Sequence, residues 1–265
     1  MIPKTIHYVW FGGNRLGEKE QRCIESWKKV LPDYSIMQWD ESNFDISINE
    51  YCTQAFMQKK WAFVSDYARL WILVNYGGIY MDTDVELVKS FDSFLDCNAF
   101  AGFESFDCVS TGVLACEKGF PLFEELLREY DNRLFQKIDG RLDTTTNVVA
   151  ITNHLVKRGL KLDGEFQVVC GLSVFPQDYF SPKNYQTGKI TQTLNTCAIH
   201  HFSGSWKGEI DLLLLERSRK IKESLPWVPT FFAAFVSKLL FCMERRDFTL
   251  IKNDLKRKMG RKNNE

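Results

Sequence analysis

Residues 64–84, VSDYARLWILVNYGGIYMDTD, decide the fold that this sequence predicts. The first part of the stretch predicts a helix, because its apolar side chains recur at helical spacing. Gly77-Gly78 predicts the end of that helix, since glycine takes a left-handed C-terminal conformation without steric cost. Residues 79–81 then predict a short buried strand that ends at Asp82-Thr83-Asp84. The apolar positions of the helix are Phe63, Tyr67, Leu70, Trp71 and Val74.

Asp82 and Asp84 follow the predicted strand two residues apart, a spacing that points both side chains to the same side. Two neighbouring carboxylates repel each other unless a positive charge lies between them, and a divalent cation is the obvious candidate. Mg²⁺ or Mn²⁺ suits this small donor set, because both ions are held by one or two carboxylates plus substrate phosphate. The motif alone is weak evidence, since a solvated turn has the same pattern. The apolar strand and the glycine pair before it favour a metal site.

Composition excludes several classes of protein. The chain has 265 residues, of which 45% are hydrophobic, enough for a sizeable core. Its 34 basic and 34 acidic residues cancel, so no global field favours nucleic acid. Eight cysteines without a Cys-x-x-Cys pair argue against a zinc cluster and, with no signal-like N-terminus, against a disulfide framework. No apolar run reaches the roughly 18 uncharged residues of a spanning helix. We expect a cytoplasmic protein, soluble or peripheral on the inner face of the membrane.

The N-terminal segment predicts the start of an α/β nucleotide-binding fold. A β-branched and aromatic strand at residues 5–10 precedes Gly12-Gly13, a helix at 18–30 and a second strand at 35–39. Ligands of such sheets bind beyond the carboxyl ends of the strands. Further helices are predicted at 48–59, 62–75, 120–130 and 143–157, and further strands at 85–88, 99–103, 109–115, 166–169, 173–175 and 197–200.

The sequence changes character near residue 211, where we predict a boundary between an α/β domain at 1–210 and a helical, basic, amphipathic extension at 211–265. Residues 231–243 are almost wholly apolar, and residues 244–265 hold eight Lys or Arg against four Asp or Glu. Such a segment either packs on the α/β domain or lies in a membrane interface, and both interpretations stay open. Its apolar positions at helical spacing are Phe231, Phe232, Phe235, Val236, Leu239 and Leu240.

Two other features have alternative interpretations. Asp66 and Arg69 are three residues apart on one helix, so they form either a surface ion pair worth under about 1 kcal/mol or a pair held in a cleft. Trp10 is either a core residue, which periodicity favours, or a plate on which a nucleobase stacks.

The loop at residues 200–206, His-His-Phe-Ser-Gly-Ser-Trp, is dense in polar and aromatic side chains. One of its adjacent histidines, His200 or His201, is a candidate metal ligand, although a histidine at a strand end is more often structural. The backbone N–H groups and hydroxyls around Gly204 suit a phosphate.

Four blocks taken together resemble the DXD-containing glycosyltransferase family 32 and, beyond it, the catalytic domain of the large glucosylating toxins. The blocks are residues 2–13, 65–69, 77–84 and 201–206. The resemblance is closest over residues 1 to about 90 and returns near 200–206. It implies a GT-A fold (a Rossmann-like mixed sheet flanked by helices), a nucleotide-sugar donor, Mn²⁺ or Mg²⁺, and retention of the anomeric configuration.

The resemblance also assigns roles to residues of this chain. Trp10 is expected to stack on the nucleobase, with Val9 as a further donor-binding residue. Asp84 is expected to be the more direct metal ligand, and Asp82 to contact ribose, sugar and metal. His201 is the expected further metal ligand. Contacts to the donor's ribose, sugar or phosphates are expected from Ser65, Asp66, Arg69 and Tyr80, and contacts to its diphosphate from Ser205 and Trp206.

The function expected from this resemblance is transfer of a sugar from a nucleotide sugar, a UDP-sugar being favoured, to an oligosaccharide or lipid-linked saccharide acceptor. Capsule, lipopolysaccharide or other surface polysaccharide synthesis is the expected setting. No carboxylate is marked as a covalent nucleophile, so we expect front-face attack, with Asp66, Arg69, Asp82 and Asp84 as catalytic residues. The alternatives are a nucleotide-sugar-binding protein without turnover and, less favoured, a glycoside hydrolase that uses carboxylates such as Glu104 and Asp107.

One departure from the family concerns the middle helix. It begins with Asp-Thr-Thr-Thr-Asn at residues 143–147, where many relatives have Gly-Pro. The wall that faces the sugar and the acceptor is therefore the part that the resemblance defines least.

Overall fold

The computed structural model describes residues 1–204, 209–252 and 254. Its α/β portion alternates strands and helices, and two long helices follow it. Short 3₁₀ helices at Ile46–Ile48 and Asp92–Phe94 complete the secondary structure. The elements in chain order are β1 Thr5–Val9, α1 Glu18–Val30, β2 Ser35–Trp39, α2 Glu50–Met57, α3 Trp61–Tyr76, β3 Gly78–Met81, β4 Val85–Leu87, β5 Ala99–Ser105, β6 Cys108–Cys116, α4 Pro121–Arg128, α5 Asn147–Val156, β7 Gln167–Val169, β8 Leu172–Phe175, α6 Gln177–Phe180, β9 Ala198–His200, α7 Glu209–Ser224 and α8 Thr230–Arg245.

The main sheet is mixed and has seven strands in the order β2-β1-β3-β6-β5-β8-β7. Strand β1 pairs parallel with β2 and β3, whereas β6 runs antiparallel to β3 and β5. A second sheet consists of β4 and β9, paired antiparallel. The predicted α/β fold is confirmed, and a mixed sheet with helices on its faces is the arrangement that the GT-A expectation required.

Two hydrophobic cores lie on the two faces of the main sheet. Alternation along β3 separates them, because Tyr80 belongs to one core whereas Ile79 and Met81 belong to the other. The Tyr80 core includes buried side chains of α2, α3, α4 and α5, and the other core includes Ile24 and Trp27 of α1. Both faces of β3 are therefore covered, which explains why this strand is apolar throughout.

The glycine pair between α3 and β3 is required by close backbone approaches. Gly77 has φ 68°, and a Cβ there would lie 2.6 Å from the backbone nitrogen of Lys118. Gly78 has φ 95°, and a Cβ there would lie 2.6 Å from the carbonyl oxygen of Thr5. A larger residue at Gly78 would therefore push β3 away from β1, and one at Gly77 would clash with the backbone that follows β6. The predicted helix end at the glycine pair is confirmed.

His7 of β1 forms hydrogen bonds to β2 and to the turn between α3 and β3. Its Nδ1 accepts a hydrogen bond from Nε1 of Trp39 at 3.1 Å, so its Nε2 carries the proton that is donated to the Gly77 carbonyl at 3.1 Å. Burial lowers the pKa of His7 to about 4, against a smaller raising effect of the Gly77 bond, so the ring stays neutral. Because β1 and β3 pair in parallel, both strands end at the same edge of the sheet, where Trp10 and Asp82 follow them.

The chain forms two compact units, residues 1–183 with 190–203, and residues 184–189 with 204–265. The predicted boundary at residue 210 stays a prediction. In the second unit, α8 packs on α7 and the Ser237 hydroxyl donates to the Leu214 carbonyl at 2.7 Å. Among the helices of the described residues, none has the length and hydrophobicity needed to cross a membrane.

Candidate metal and donor site

The two aspartates follow β3 at the edge of the sheet and are held in place differently. Asp82 continues the ladder through its N–H, which donates to the Gly112 carbonyl at 2.9 Å. Its Oδ1 accepts from the Tyr80 hydroxyl at 2.9 Å. Asp84 is buried, and its Oδ2 accepts from the Ser203 N–H at 2.6 Å. The segment after β9 therefore fixes Asp84, whereas β3 and β6 fix Asp82.

His200 completes a cluster with these two aspartates. One ligand atom from each of the three side chains lies within 4.8 Å of the others. The His200 Nε2 lies 3.3 Å from Oδ1 of Asp84 and 4.0 Å from Oδ2 of Asp82. The His200 ring is tilted against Phe202, with ring centroids 4.2 Å apart. The predicted carboxylate pair therefore has a nitrogen donor beside it.

His201 takes a different position from the one expected for a metal ligand. Its Nε2 lies 2.8 Å from Oε2 of Glu86, and its N–H donates to the Asp84 carbonyl at 3.0 Å. The histidine pair was recognisable in the sequence, but its orientation was not. Successive side chains at a strand end point to opposite sides, and the pairing of Val85 with His200 joins segments far apart in the chain.

Electrostatic attraction to the two aspartates favours the charged form of His200. Burial favours the neutral ring, but the carboxylates of Asp84, Asp82 and Glu104 outweigh it and raise the pKa of His200 to about 9. Burial also disfavours the Asp84 carboxylate, yet His200 and the Ser203 N–H hold the pKa of Asp84 well below its usual range. Without a metal, the imidazolium of His200 therefore takes the place of the positive charge that the aspartates require.

The residues of this cluster fit a divalent cation. Two carboxylates and an imidazole are a donor set for a first-row metal such as Mn²⁺, since Mg²⁺ prefers oxygen ligands alone. Within the described part of the chain, the buried Nδ1 of His200 has no hydrogen-bond partner. A Cβ added at Gly112 would lie 2.8 Å from that Nδ1, so only glycine leaves room for the ring. Cation binding at this ring would displace its proton.

Arg69 joins Asp82 to the helix α3. Its Nη2 lies 3.3 Å from Oδ1 of Asp82 and 3.4 Å from Oδ1 of Asp66. Its Nη1 donates to the Thr111 carbonyl at 2.8 Å, and the guanidinium lies over the Tyr80 ring, 4.7 Å from the centroid. The side chains of Arg69 and Asp66 are only 6% and 9% exposed. The pair is therefore not a surface ion pair, and the buried alternative is the one observed.

Asn147 holds Asp66 from the opposite side and was not identified from the sequence. Its N–H donates to Oδ2 of Asp66 at 3.0 Å, and its Nδ2 donates to the Asp66 carbonyl at 2.6 Å. The Tyr130 hydroxyl donates to Oδ1 of Asn147 at 2.6 Å. Asn147 is the first residue of α5, where backbone N–H groups lack partners within the helix and favour a carboxylate.

The other expected donor-binding residues stay predictions, and the structure gives the positions of three of them. Val9 is buried in a core, and the Ser65 hydroxyl donates to the Trp61 carbonyl at 2.9 Å. Trp10 is half-buried at the same sheet edge, and its Nε1 donates to the Asn14 carbonyl at 2.7 Å. The expected diphosphate contacts, Ser205 and Trp206, lie outside the described residues.

Asp66→Asn is expected to flatten the pH dependence of stability between about pH 4 and pH 6. Burial, opposed by Arg69, raises the pKa of Asp66 from 3.8 to about 6. Between pH 3.8 and about 6, the folded protein therefore holds a proton on Asp66 that the unfolded chain releases. The resulting stabilisation of the fold is fully present below pH 3.8 and is lost as the pH rises through 6. Its size is about 3 kcal/mol. Urea unfolding of wild type and variant from pH 4 to pH 7 measures it.

The matched control for this experiment is Asp96→Asn, which changes an exposed aspartate. Its difference from wild type should stay nearly constant across the same pH range. A constant difference between wild type and Asp66→Asn would contradict the raised pKa.

Comparison with known proteins gives a family match that includes part of this site. Residues 17–101 match the family model described as "Glycosyltransferase sugar-binding region containing DXD motif". The matched region runs from the start of α1 into β5 and includes Asp66, Arg69 and both aspartates after β3. The resemblance noted in the sequence is confirmed. Residues 17–101 are therefore similar to the sugar-binding region of DXD glycosyltransferases.

Relatives of known name include yeast enzymes. The chain is 30% identical over 131 residues to "Inositol phosphoceramide mannosyltransferase 3" of Schizosaccharomyces pombe, which covers 48% of this chain and 36% of that protein. It is 25% identical over 232 residues to an uncharacterized glycosyltransferase of Acanthamoeba polyphaga mimivirus, which covers 80% of this chain and 86% of that one. The chain thus spans about a third of the length of the yeast relative.

Solved structures with partial similarity are also glycosyltransferases. The galactosyltransferase LgtC superposes with a TM-score of 0.40 at 15% identity, covering 85% of this chain and 97% of that one. The PaToxG glycosyltransferase superposes with a TM-score of 0.40 at 22% identity, covering 48% and 59%. The similarity of this chain to glycosyltransferases rests on the match over residues 17–101 and not on these superpositions.

Proposed function

We propose that this protein is a retaining, metal-dependent glycosyltransferase that moves a sugar from a nucleotide sugar to a saccharide acceptor. The observation that carries the proposal is that Asp82 contacts two different groups of residues. This carboxylate belongs to the cluster with Asp84 and His200, and it also contacts Arg69. A candidate cation site and a buried cationic side chain thus meet at one sheet edge, an arrangement suited to binding a sugar diphosphate.

In this proposal each residue has a separate role. Asp82, Asp84 and His200 hold the cation, with His200 in the role that the resemblance gave to His201. The chemistry supplied by a bound divalent cation is neutralisation of the charge that develops on the departing diphosphate. Arg69 fixes Asp66 and Asp82, so that both carboxylates can accept hydrogen bonds from hydroxyls of the ribose or sugar. Trp10 at the same edge offers its half-buried ring to the nucleobase.

The proposed reaction is a front-face displacement. The acceptor hydroxyl attacks the anomeric carbon on the side from which the diphosphate leaves, and the diphosphate takes the proton of that hydroxyl. No protein carboxylate forms a bond to the sugar in this scheme. The configuration at the anomeric carbon is therefore retained, and the C1 protons of the product, observed by nuclear magnetic resonance, report it.

The donor and acceptor follow from the chemistry of the class and from the named relatives. A UDP-sugar stays the favoured donor. The relatives named mannosyltransferases add nucleotide-activated mannose to the donor panel, and inositol phosphoceramide to the acceptors. Oligosaccharide or lipid-linked acceptors, a role in capsule or lipopolysaccharide synthesis, and a cytoplasmic location are further parts of the proposal.

A donor-hydrolysis screen tests the proposed function. UDP- and GDP-sugars are incubated with the protein, with Mn²⁺, Mg²⁺ or a chelator, and release of the nucleoside diphosphate is measured. We expect one donor to be hydrolysed in Mn²⁺ and not in the chelator. Binding of the donor without hydrolysis, and without transfer to any acceptor, would favour the alternative of a binding protein without turnover.

The glycoside hydrolase alternative has one supporting observation, the carboxyl of Glu104. Burial raises the pKa of Glu104, an effect that His200 opposes and that Asp82 and Asp84 reinforce. A carboxyl that holds its proton is suited to act as a general acid. Cleavage of a nitrophenyl glycoside without nucleotide or metal would favour this alternative over the transferase.

A further inference from the structure

The second unit exposes a row of large aromatic side chains. Trp227 in the α7–α8 turn is 79% exposed, and Phe231 in the first turn of α8 is 76% exposed. Phe235, one turn further along the same side of α8, is 51% exposed. We call these three side chains the aromatic row. Phe232, Leu240 and Met243 extend the apolar surface around α8 and are 49%, 44% and 57% exposed.

The opposite side of α8 packs on α7. Ala233, Ser237 and Phe241 recur at a spacing of four residues and are buried. Ser237 bonds to the Leu214 carbonyl of α7. This face holds the helix pair together, so the aromatic row is not needed for that packing. One face of α8 thus packs on α7 and the other is exposed. The choice left open by the sequence, between packing on the α/β domain and lying in a membrane interface, concerns the exposed face.

Charge indicates what covers the aromatic row. Lys222 donates from Nζ to the carbonyls of Pro226 and Val228, at 2.8 and 2.6 Å, and so places its ammonium beside Trp227. Residues 244–265, which include the end of α8, hold eight of the chain's 34 Lys or Arg residues against four of its 34 Asp or Glu residues. Exposed aromatic side chains with a lysine beside them, in a chain whose C-terminal sequence is basic, match the boundary between acyl chains and anionic headgroups.

We propose that the aromatic row is a membrane-binding surface, which inserts Trp227, Phe231 and Phe235 into the interface of a bilayer that contains anionic lipid. The second unit then lies on the membrane, since no helix of the described residues can cross it. Binding depends on aromatic burial and on charge together. The proposal needs neither donor nor metal and stands apart from the proposed reaction.

Vesicle sedimentation of the full chain tests the proposal. Vesicles of phosphatidylcholine with about one third phosphatidylglycerol should bind the protein, and pure phosphatidylcholine vesicles should bind it at least about tenfold more weakly. The triple variant Trp227→Ser/Phe231→Ser/Phe235→Ser should lose about tenfold or more of the binding to anionic vesicles. Trp227→Ser alone, which changes a turn and no helix, should lose a smaller but measurable part.

The matched control replaces three exposed apolar residues of the other unit. Met57, Ile138 and Leu194 are 76%, 101% and 93% exposed, and their triple serine variant should bind vesicles as wild type does. Equal binding by wild type and the aromatic-row variant would overturn the proposal. So would a wild-type chain that binds no vesicles but forms a dimer that the aromatic-row variant does not form, because a second copy would then be the occupant.

Discussion

Asp84→Asn should lower Mn²⁺-dependent donor hydrolysis by about 1,000-fold and raise the Mn²⁺ concentration needed for half-maximal activity. The substitution keeps the size of the side chain and an oxygen that can accept from the Ser203 N–H. It removes the charge that lies 3.3 Å from His200. A cation would then be held by one carboxylate and one imidazole, and its affinity should fall accordingly.

A direct Mn²⁺ titration separates metal binding from catalysis. Free Mn²⁺ is measured by electron paramagnetic resonance in the presence of wild type, Asp84→Asn or the control Asp96→Asn, which changes an exposed carboxylate. We expect weakened binding only in Asp84→Asn, and partial recovery of its activity at high Mn²⁺. Unchanged Mn²⁺ affinity together with unchanged hydrolysis would exclude Asp84 as a metal ligand.

Local signals predicted most of the secondary structure. The helix expected at residues 18–30 has those bounds in the structure, because acidic residues start it and Pro32 follows its end. The helix expected at 48–59 begins later, at Glu50, because the Asn49 side chain accepts from the N–H groups of Tyr51 and Cys52 and caps it. The four-residue helix α6 was not predicted, since it is too short to show a period.

The residues of the candidate site also fall into two groups, those that local sequence predicts and those that it does not. Asp82 and Asp84 were predictable, because their spacing and the strand before them are local features. His200 and Asn147 were not, since their contacts with Asp84 and Asp66 join segments brought together only by the sheet and by packing of α5. The segment where relatives have Gly-Pro ends at Asn147, so the departure in sequence falls where the structure adds a partner for Asp66.

Arg69→Ala should lower donor hydrolysis by about 100-fold or more, with no recovery at any Mn²⁺ concentration. The guanidinium contacts Asp66, Asp82 and the Thr111 carbonyl, and methyl replaces none of these contacts. The substitution also leaves two carboxylates in a buried network without their cation. It should therefore lower the free energy of unfolding by about 3 kcal/mol.

Arg69→Lys separates the functional effect from the structural one. Lysine restores the positive charge, so most of the lost stability should return, but one ammonium cannot reproduce a fork that reaches two carboxylates and a carbonyl. We expect hydrolysis to stay at least about tenfold below wild type. Arg128→Ala, which changes a surface arginine paired with Glu124, is the matched control for both measurements.

The response to metal distinguishes the two halves of the site. Asp84 acts through the cation, so more Mn²⁺ compensates in part for its loss, whereas Arg69 positions carboxylates that metal cannot position. Urea unfolding and Mn²⁺-dependent hydrolysis of the two Arg69 variants are the measurements. Recovery of Arg69→Ala by Mn²⁺ would contradict this division and would place Arg69 among the groups that act through the metal.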